Sequence, residues 1–123
     1  MVEKKKILLV DDEEVIRDAL GGLLMEEGYE VVEAEDGSEA IEKLSAEKFD
    51  IVITDIKMPG KSGIDVLTAA KIIDPTLDVI MITGFTTEEP DYALSLGAKD
   101  FIYKSYNVEE FLSKIKKAIE RIE

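Results

Sequence analysis

Acidic, hydroxyl and amine side chains follow the ends of short apolar runs in this chain. Asp11 and Asp12 follow one run, Asp55 a second, Thr83 a third and Lys104 a fourth. If these runs are strands of one parallel sheet, their carboxyl ends lie at the same edge, and the polar side chains gather in one crevice. Carboxylates crowded together repel one another unless a divalent cation neutralises them. The pattern therefore predicts a cation site at this edge of the sheet.

Magnesium is the ion that suits this set of groups best. It prefers oxygen ligands, keeps several waters, and is usually held by one or two carboxylates together with phosphate oxygens. Mn²⁺ prefers the same ligands and is expected to substitute for it. Beside such an ion, Asp55 is placed to attack phosphorus and form an acyl phosphate. Lys104 and Thr83 are then expected to stabilise the charge on the transferred group.

Each of these residues also has an ordinary structural explanation. An Asp pair after a strand commonly caps the next helix, and we expect Asp12 to cap it in addition to any functional role. Thr83 and Gly84 suit a loop turn, and a lysine such as Lys104 is most often simply exposed. The chemical interpretation depends on all of them occurring together.

The strands that must position these residues alternate with longer segments of helical periodicity. Five apolar runs, at 7–10, 30–34, 51–53, 79–82 and 101–103, predict five strands. Alternation of this kind is typical of a parallel sheet with crossover helices. The first and third runs are the most continuously apolar, as expected of central strands. Right-handed crossovers then favour an α/β, doubly wound, flavodoxin-like (βα)5 fold with strand order 2-1-3-4-5.

A helix is expected after each strand. Apolar residues at helical spacing mark helices around 15–24, 40–44, 64–73 and 108–122. A shorter helix is expected within 88–96, starting near Pro90 because proline is accepted in a first turn. Without a linker, repeat or low-complexity stretch, residues 1–123 are expected to form a single domain.

The composition excludes several kinds of chemistry. The chain of 123 residues has no cysteine and no histidine, so disulfides, thiolate metal sites and Ser-His-Asp or Cys-His catalysis are ruled out. A formal net charge of −13 argues against direct binding to nucleic acids or anionic membranes. The apolar run at 7–10 is too short for a signal peptide or a membrane span, so we expect a cytoplasmic location.

Several longer motifs resemble those of response-regulator receiver domains, and the resemblance covers essentially the full length. The motifs are ILLVDDE at 7–13, VITDIKMPGKSG at 52–63, MITG at 81–84, LGAKDF at 96–101 and then Lys104. The resemblance implies a two-component phosphoprotein that accepts a phosphoryl group from the phosphohistidine of a sensor histidine kinase or phosphotransfer protein. Such a receiver is a signalling phospho-acceptor and not an enzyme, although it assists its own phosphorylation and dephosphorylation.

The resemblance also assigns roles around the metal. Asp11 and Asp12 correspond to the acidic metal pair, and Asp55 to the phosphorylation site and a metal ligand. Lys57 corresponds to the residue that gives a backbone carbonyl to Mg²⁺. Lys57, together with Gly84 and Phe85, lies at positions expected to influence how long the phosphorylated state lasts.

Other correspondences imply a conformational switch. Thr83 matches the hydroxyl that moves to meet the phosphoryl group, Lys104 its cationic partner, and Phe101 the aromatic residue whose rotamer follows Thr83. The face formed by the fourth helix, fifth strand and fifth helix is then expected to change its affinity for a downstream partner or effector domain. A homodimer through the same face is also compatible with the resemblance.

One position departs from the family's pattern. Most members have a proline after the lysine, in a cis bond, where this chain has Ser105. A cis bond before a residue other than proline costs ~3–4 kcal/mol. Either the surrounding loop enforces that bond, or it is trans and Lys104 is placed differently.

Three other functions remain to be compared with this one. A flavodoxin-like electron carrier shares the architecture, but the acidic residues after the first strand would repel the flavin phosphate. A phosphatase of the haloacid-dehalogenase type uses Asp, Mg²⁺, Thr and Lys, but its nucleophile should follow the first strand in an Asp-x-Asp pattern. The third alternative is a receiver relative that binds proteins without being phosphorylated.

Overall fold

The computed structural model describes residues 4–84, 90–105 and 107–122, and within them five strands alternate with five helices. The strands are β1 (Lys6–Val10), β2 (Glu30–Ala34), β3 (Ile51–Asp55), β4 (Asp78–Thr83) and β5 (Asp100–Tyr103). The helices are α1 (Glu14–Glu26), α2 (Gly37–Ala46), α3 (Gly63–Ile73), α4 (Pro90–Ser95) and α5 (Val108–Ile122). The predicted elements are all present, with boundaries close to those expected.

All neighbouring strands pair in parallel, in the order β2-β1-β3-β4-β5. The predicted order is therefore confirmed. Each residue of β3 is buried, because the strand lies between β1 and β4 and is covered on both faces. The pairing of Val10 with Thr54 and of Asp55 with Ile82 brings the carboxyl ends of these three strands to one edge.

The two faces of the sheet pack against different helices. On one face, Val52 of β3 joins a cluster that includes Leu44 of α2 and Leu67 of α3. On the other face, Ile53 joins a cluster that includes Leu20 of α1 and Ile115 of α5. Successive strand residues alternate between the clusters, as the two-residue period of a strand requires. The central strands thus lie between two apolar layers, and the polar residues follow them at one edge of the sheet.

Local capping explains where several helices begin and end. The side chain of Asp36 accepts a hydrogen bond from the Glu39 amide at the start of α2. α4 begins at Pro90, as predicted, and the chain leaves it through Gly97 at φ +106°, a left-handed conformation that favours glycine. None of the helices described here has the length and apolar character needed to cross a membrane.

Candidate functional site

Two aspartates meet where β1 and β3 end. Asp11 is fully buried directly after β1, and Asp55 is 4% exposed at the last position of β3. Asp12 and Glu13 are exposed at the rim of the same crevice. Ligand oxygens from these four carboxylates lie within 4.8 Å of one another. The structure therefore brings the three predicted acidic residues together, with Glu13 as a fourth.

Lys104 enters the crevice from the end of β5. Its Nζ lies 2.9 Å from Asp11 Oδ2, 3.2 Å from Asp55 Oδ2 and 3.2 Å from Glu13 Oε1. The lysine side chain is only 10% exposed, so its positive charge is directed inward at the carboxylates. No described peptide bond is cis, so Lys104 reaches this position through a trans bond to Ser105. The alternatives were an enforced cis bond, or a trans bond with Lys104 placed differently; the bond is trans, and Lys104 nevertheless contacts Asp11 and Asp55.

Burial and the close packing of charge shift the pKa of Asp11, Asp55 and Lys104. Burial, followed by the negative charge of Asp11, raises the pKa of Asp55 to about 6, and Lys104 opposes this increase. Burial likewise raises the pKa of Asp11, again against the effect of Lys104. Burial lowers the pKa of Lys104, but the two aspartates outweigh that effect and raise it overall. The site is consequently one in which added positive charge is favourable.

The hydroxyl of Thr83 lies at the same edge, buried at the end of β4. Its Oγ1 has no hydrogen-bond partner among the residues that the structure describes. Asp11 Oδ2 is also buried, but it has a partner in the Lys104 ammonium at 2.9 Å. Buried polar atoms are rarely left unpartnered, so the Thr83 hydroxyl is a position where a ligand atom can be accepted. The main chain fixes the residue, because the Lys104 amide donates to the Thr83 carbonyl at 2.7 Å.

Phe101 lies two residues before the end of β5, on the face that carries α3 and α4. It is partly buried against the core cluster there, and its ring meets the ring of Tyr103 edge-on with centroids 5.3 Å apart. Tyr103 is 49% exposed. Phe101 therefore occupies a position between the core and the surface, while its role as a switch remains a prediction.

Three residues are expected to influence the lifetime of the phosphorylated state, and the structure describes two of them, Lys57 and Gly84. Lys57 is exposed in the loop after β3. A Cβ added to Gly84 would lie 3.5 Å from Lys104 Cδ, an ordinary van der Waals distance, so the space beside Gly84 faces the lysine stem. Phe85 lies outside the described residues. The influence of all three on the lifetime stays a prediction.

One expectation was wrong and one residue was missed. Asp12 does not cap α1, because the N-cap position is Glu13, whose side chain makes no capping hydrogen bond. Asp11 Oδ1 accepts the hydrogen bond of the Glu13 amide at 2.9 Å, so the buried aspartate orders the turn that leads into the helix. Glu13 was not predicted to belong to the site. The sequence contains an indication of this role, because Glu13 is the third consecutive acidic residue after β1.

Comparisons with known proteins agree with this geometry. The family model described as "Response regulator receiver domain" matches residues 7–116. Sporulation initiation phosphotransferase F of Bacillus subtilis is 33% identical over 114 residues, covering 92% of this chain and 92% of that protein. The crystal structure of response regulator protein TrrA from Thermotoga maritima in complex with Mg²⁺-BeF is 38% identical, has a TM-score of 0.79, and is matched over 93% of this chain and 98% of its own.

Other relatives are longer than this chain. A cyclic di-GMP phosphodiesterase of Thermotoga maritima is 36% identical over 114 residues, which is 92% of this chain but 30% of that protein. The chain spans between 30% and 58% of the length of the first three curated relatives it matches. The similarity to these proteins concerns one domain of each.

Proposed function

Because the chain belongs to the response regulator receiver domain family, we propose that Asp55 accepts a phosphoryl group in a Mg²⁺-dependent reaction. The donor is a phosphohistidine on a sensor histidine kinase or a phosphotransfer protein. The observation that carries the proposal is the convergence of Lys104 and Asp11 on the buried Asp55 carboxylate. We infer that residues 1–123 act as a single receiver module, which is a phospho-acceptor and not an enzyme with a separate substrate.

The acidic residues of the crevice fit a magnesium ion. Asp11, Asp12 and Asp55 supply the carboxylate oxygens, and the backbone carbonyl of Lys57 is the further proposed ligand. The fit is supported by the close approach of these carboxylate oxygens, within 4.8 Å of one another, and by the raised pKa of both buried aspartates. When bound, the ion supplies positive charge that offsets the carboxylates and the phosphoryl oxygens. Mn²⁺, which takes the same ligands, is proposed as a substitute.

The transfer step requires an ionised Asp55. One oxygen of its carboxylate forms a bond to phosphorus while the bond from phosphorus to the donor's imidazole nitrogen breaks, and that nitrogen keeps the electron pair. Lys104 already contacts Asp55 Oδ2 at 3.2 Å, so its ammonium stands within reach of the oxygens of an incoming group. During transfer the negative charge is spread over the three equatorial oxygens of the group, and a cation positioned beside them stabilises it.

Phosphorylation is proposed to alter the surface through Thr83. Its buried hydroxyl has no partner in the described structure and gains one by donating to a phosphoryl oxygen. Movement of Thr83 toward Asp55 frees space on the face of the sheet that Phe101 occupies, and Phe101 follows it inward. The change shifts the population between two arrangements of α4 and β5.

The face of α4, β5 and α5 is the proposed partner surface. A groove of about 310 Å³ lies between β5 and α5. Its lining includes Phe101, Tyr103, Lys114, Lys117 and Arg121, together with Asp100, which pairs with Arg121 at 3.5 Å. Aromatic rings beside basic side chains suit an acidic segment of a downstream protein or effector domain. The same face is the proposed contact of a homodimer. With a net charge of −13, the chain is not proposed to bind nucleic acid or a membrane directly.

Direct phosphorylation tests the proposal. The protein is incubated with acetyl phosphate and Mg²⁺, and the adduct is trapped by reduction and located by mass spectrometry. We expect one adduct, on Asp55, that is absent from Asp55→Asn and absent when EDTA replaces Mg²⁺. Asp18→Asn, which changes an exposed acidic residue of α1, serves as the matched control and should be modified like wild type. If Asp55 of the folded protein is not modified, the alternative is supported in which this chain is a receiver relative that binds partners without being phosphorylated.

A further inference from the structure

Among the described residues Lys104 has three anionic partners, and one of them differs from the others. Asp11 and Asp55 are buried and belong to the proposed metal site, whereas the Glu13 side chain is 59% exposed at its rim. Glu13 Oε1 nevertheless lies 3.2 Å from Lys104 Nζ, the same distance as Asp55 Oδ2. The ammonium therefore lies between two buried carboxylates and one exposed carboxylate.

The position of Glu13 is fixed by its backbone. Glu13 occupies the N-cap position of α1, and its amide donates to Asp11 Oδ1 at 2.9 Å. An N-cap side chain usually bonds back to the first turn of its helix, but the Glu13 side chain makes no such bond. It extends to Lys104 instead, across 91 positions of sequence. The helix start thus holds a carboxylate at the mouth of the crevice.

Lys104 and a divalent cation compete for the same buried oxygens. Both are attracted to Asp11 and Asp55, and two positive centres that share those carboxylates repel each other. When a cation binds, the ammonium must withdraw, yet it has to stay close enough to reach a phosphoryl group on Asp55. An anion at the rim allows the withdrawal without releasing the lysine to solvent.

We propose that Glu13 is a positioning residue that holds the Lys104 ammonium at the rim of the crevice while a divalent cation occupies Asp11 and Asp55. The inference rests on the proposed function, because it assumes the metal site described above. Glu13 contacts Lys104 in the metal-free protein and becomes its main partner when the other two carboxylates bind the cation. Glu13 therefore favours cation binding by acting through Lys104.

Mg²⁺ dissociation constants, measured by calorimetry, test the inference. Glu13→Gln keeps the side-chain length and removes the charge, and we expect it to bind Mg²⁺ about two- to fivefold more weakly than wild type. Glu14→Gln is the matched control, because it removes the same charge from the next residue, which is exposed. This control should bind Mg²⁺ nearly as wild type does. Its small loss of affinity measures the general effect of removing one negative charge, which is subtracted from the loss in Glu13→Gln.

A double-mutant cycle separates this inference from direct metal binding by Glu13. In a Lys104→Met background there is no ammonium to hold, so adding Glu13→Gln should leave the Mg²⁺ dissociation constant unchanged. An equal loss of affinity in that background would identify Glu13 as acting directly on the cation and would overturn the inference. Equal affinities of Glu13→Gln and Glu14→Gln, with normal Mg²⁺ binding by wild type, would overturn it as well.

A second measurement avoids changing Lys104. In ¹⁵N-labelled protein saturated with Mg²⁺, an ammonium held by Glu13 should give a visible NMR signal, which Glu13→Gln should lose through solvent exchange. A signal that persists in Glu13→Gln contradicts the inference. Failure of the proposed function would look different, since wild type would then bind no Mg²⁺ or form no adduct on Asp55.

Discussion

Gly63, the first residue of α3, is pressed against the backbone of Asp55. A Cβ placed on Gly63 would approach the Asp55 carbonyl oxygen to 2.0 Å, a distance that no real contact allows. The Gly63 amide also donates to the Ile56 carbonyl at 2.8 Å, which ties the helix start to the residue after β3. The absence of a side chain at Gly63 is therefore a condition for the position of the proposed phospho-acceptor.

Gly63→Ala should consequently displace the Asp55 backbone and weaken the fold. We expect a loss of about 1–3 kcal/mol in the free energy of unfolding, because backbone must move to admit the methyl group. Gly22→Ala is the matched control: it lies inside α1 with open space around it, and it should stabilise the protein by about 0.5–1 kcal/mol. Urea unfolding of the three proteins measures both changes. Equal stabilities of Gly63→Ala and wild type would contradict the packing described here.

Much of the fold could be predicted from sequence because it depends on periodicity. The apolar runs at 7–10 and 51–53 identify central strands, and the crossover rule then orders all five. The convergence of Asp11, Asp55 and Lys104 follows from that order, since parallel strands place their carboxyl ends at one edge. These inferences use only the order and the direction of the strands, and they require no distances between atoms.

Other features of the site depend on distances between side chains, which periodicity does not contain. The contact of Glu13 with Lys104 requires the N-cap of α1 to face the end of β5. The unpartnered hydroxyl of Thr83 results from the packing around it, and a threonine at a strand end is ordinarily satisfied. The close approach of Gly63 to Asp55 is also a packing result, since a glycine at the start of a helix suggests only a turn.

The raised pKa of Asp55 should make stability depend on pH. The folded protein keeps a proton on Asp55 up to about pH 6, while an unfolded aspartate releases it near 3.8. Between these values the folded state binds more protons, so the contribution of this group to the free energy of unfolding falls as pH rises. Asp55→Asn, which has no charge to bury, should therefore be more stable than metal-free wild type at pH 7, by about 1–3 kcal/mol.

Urea unfolding in EDTA at several pH values between 3.5 and 7.5 measures this difference. It should grow as pH increases through the window from 3.8 to about 6 and should disappear at its lower end. Asp18→Asn, at an exposed position of α1, should follow wild type throughout. A constant difference between Asp55→Asn and wild type across this range would show that the carboxyl group is ionised equally in both states.

Removing the lysine cation should destabilise the metal-free protein and make it more dependent on Mg²⁺. Lys104→Met leaves the buried Asp11 and Asp55 without their positive partner, at a cost of about 3 kcal/mol at pH 7. Mg²⁺ should restore more stability to this variant than to wild type, because its competitor for the carboxylates is gone. The rate of phosphorylation by acetyl phosphate should still fall by about 10²-fold, since the charge that stabilises transfer is lost.

Lys117→Met provides the control for this variant, because Lys117 is an exposed lysine on α5 that does not belong to the carboxylate cluster or its ion pairs. Its unfolding free energy with and without Mg²⁺ should match that of wild type. If Lys104→Met gained no more from Mg²⁺ than wild type does, the lysine and the cation would not compete for the same carboxylates.

Thr54 and Thr83 offer opposite predictions for the same substitution. Both are buried near strand ends, but Thr54 Oγ1 donates to the Asp55 carbonyl at 3.0 Å while Thr83 Oγ1 has no partner in the described structure. Replacement by valine keeps the shape and removes the hydroxyl. Thr54→Val should lose about 1 kcal/mol of stability with its hydrogen bond, whereas Thr83→Val should gain about 1 kcal/mol because an unsatisfied polar atom is removed.

The effect of Thr83→Val on stability should change from favourable to unfavourable once a phosphoryl group is present. Mg²⁺ and beryllofluoride should stabilise wild type more than Thr83→Val, as measured by urea unfolding. Beryllofluoride forms a tetrahedral group of about the size of a phosphoryl group when a carboxylate oxygen binds its beryllium, and only the wild-type residue has a hydroxyl that can donate to it. Thr54→Val should gain as much as wild type from the same additions, since its hydroxyl is bonded to the main chain. Equal gains for Thr83→Val and wild type would mean that the Thr83 hydroxyl does not meet the anion. The proposed coupling of Asp55 to the face of α4, β5 and α5 would then need a different first step.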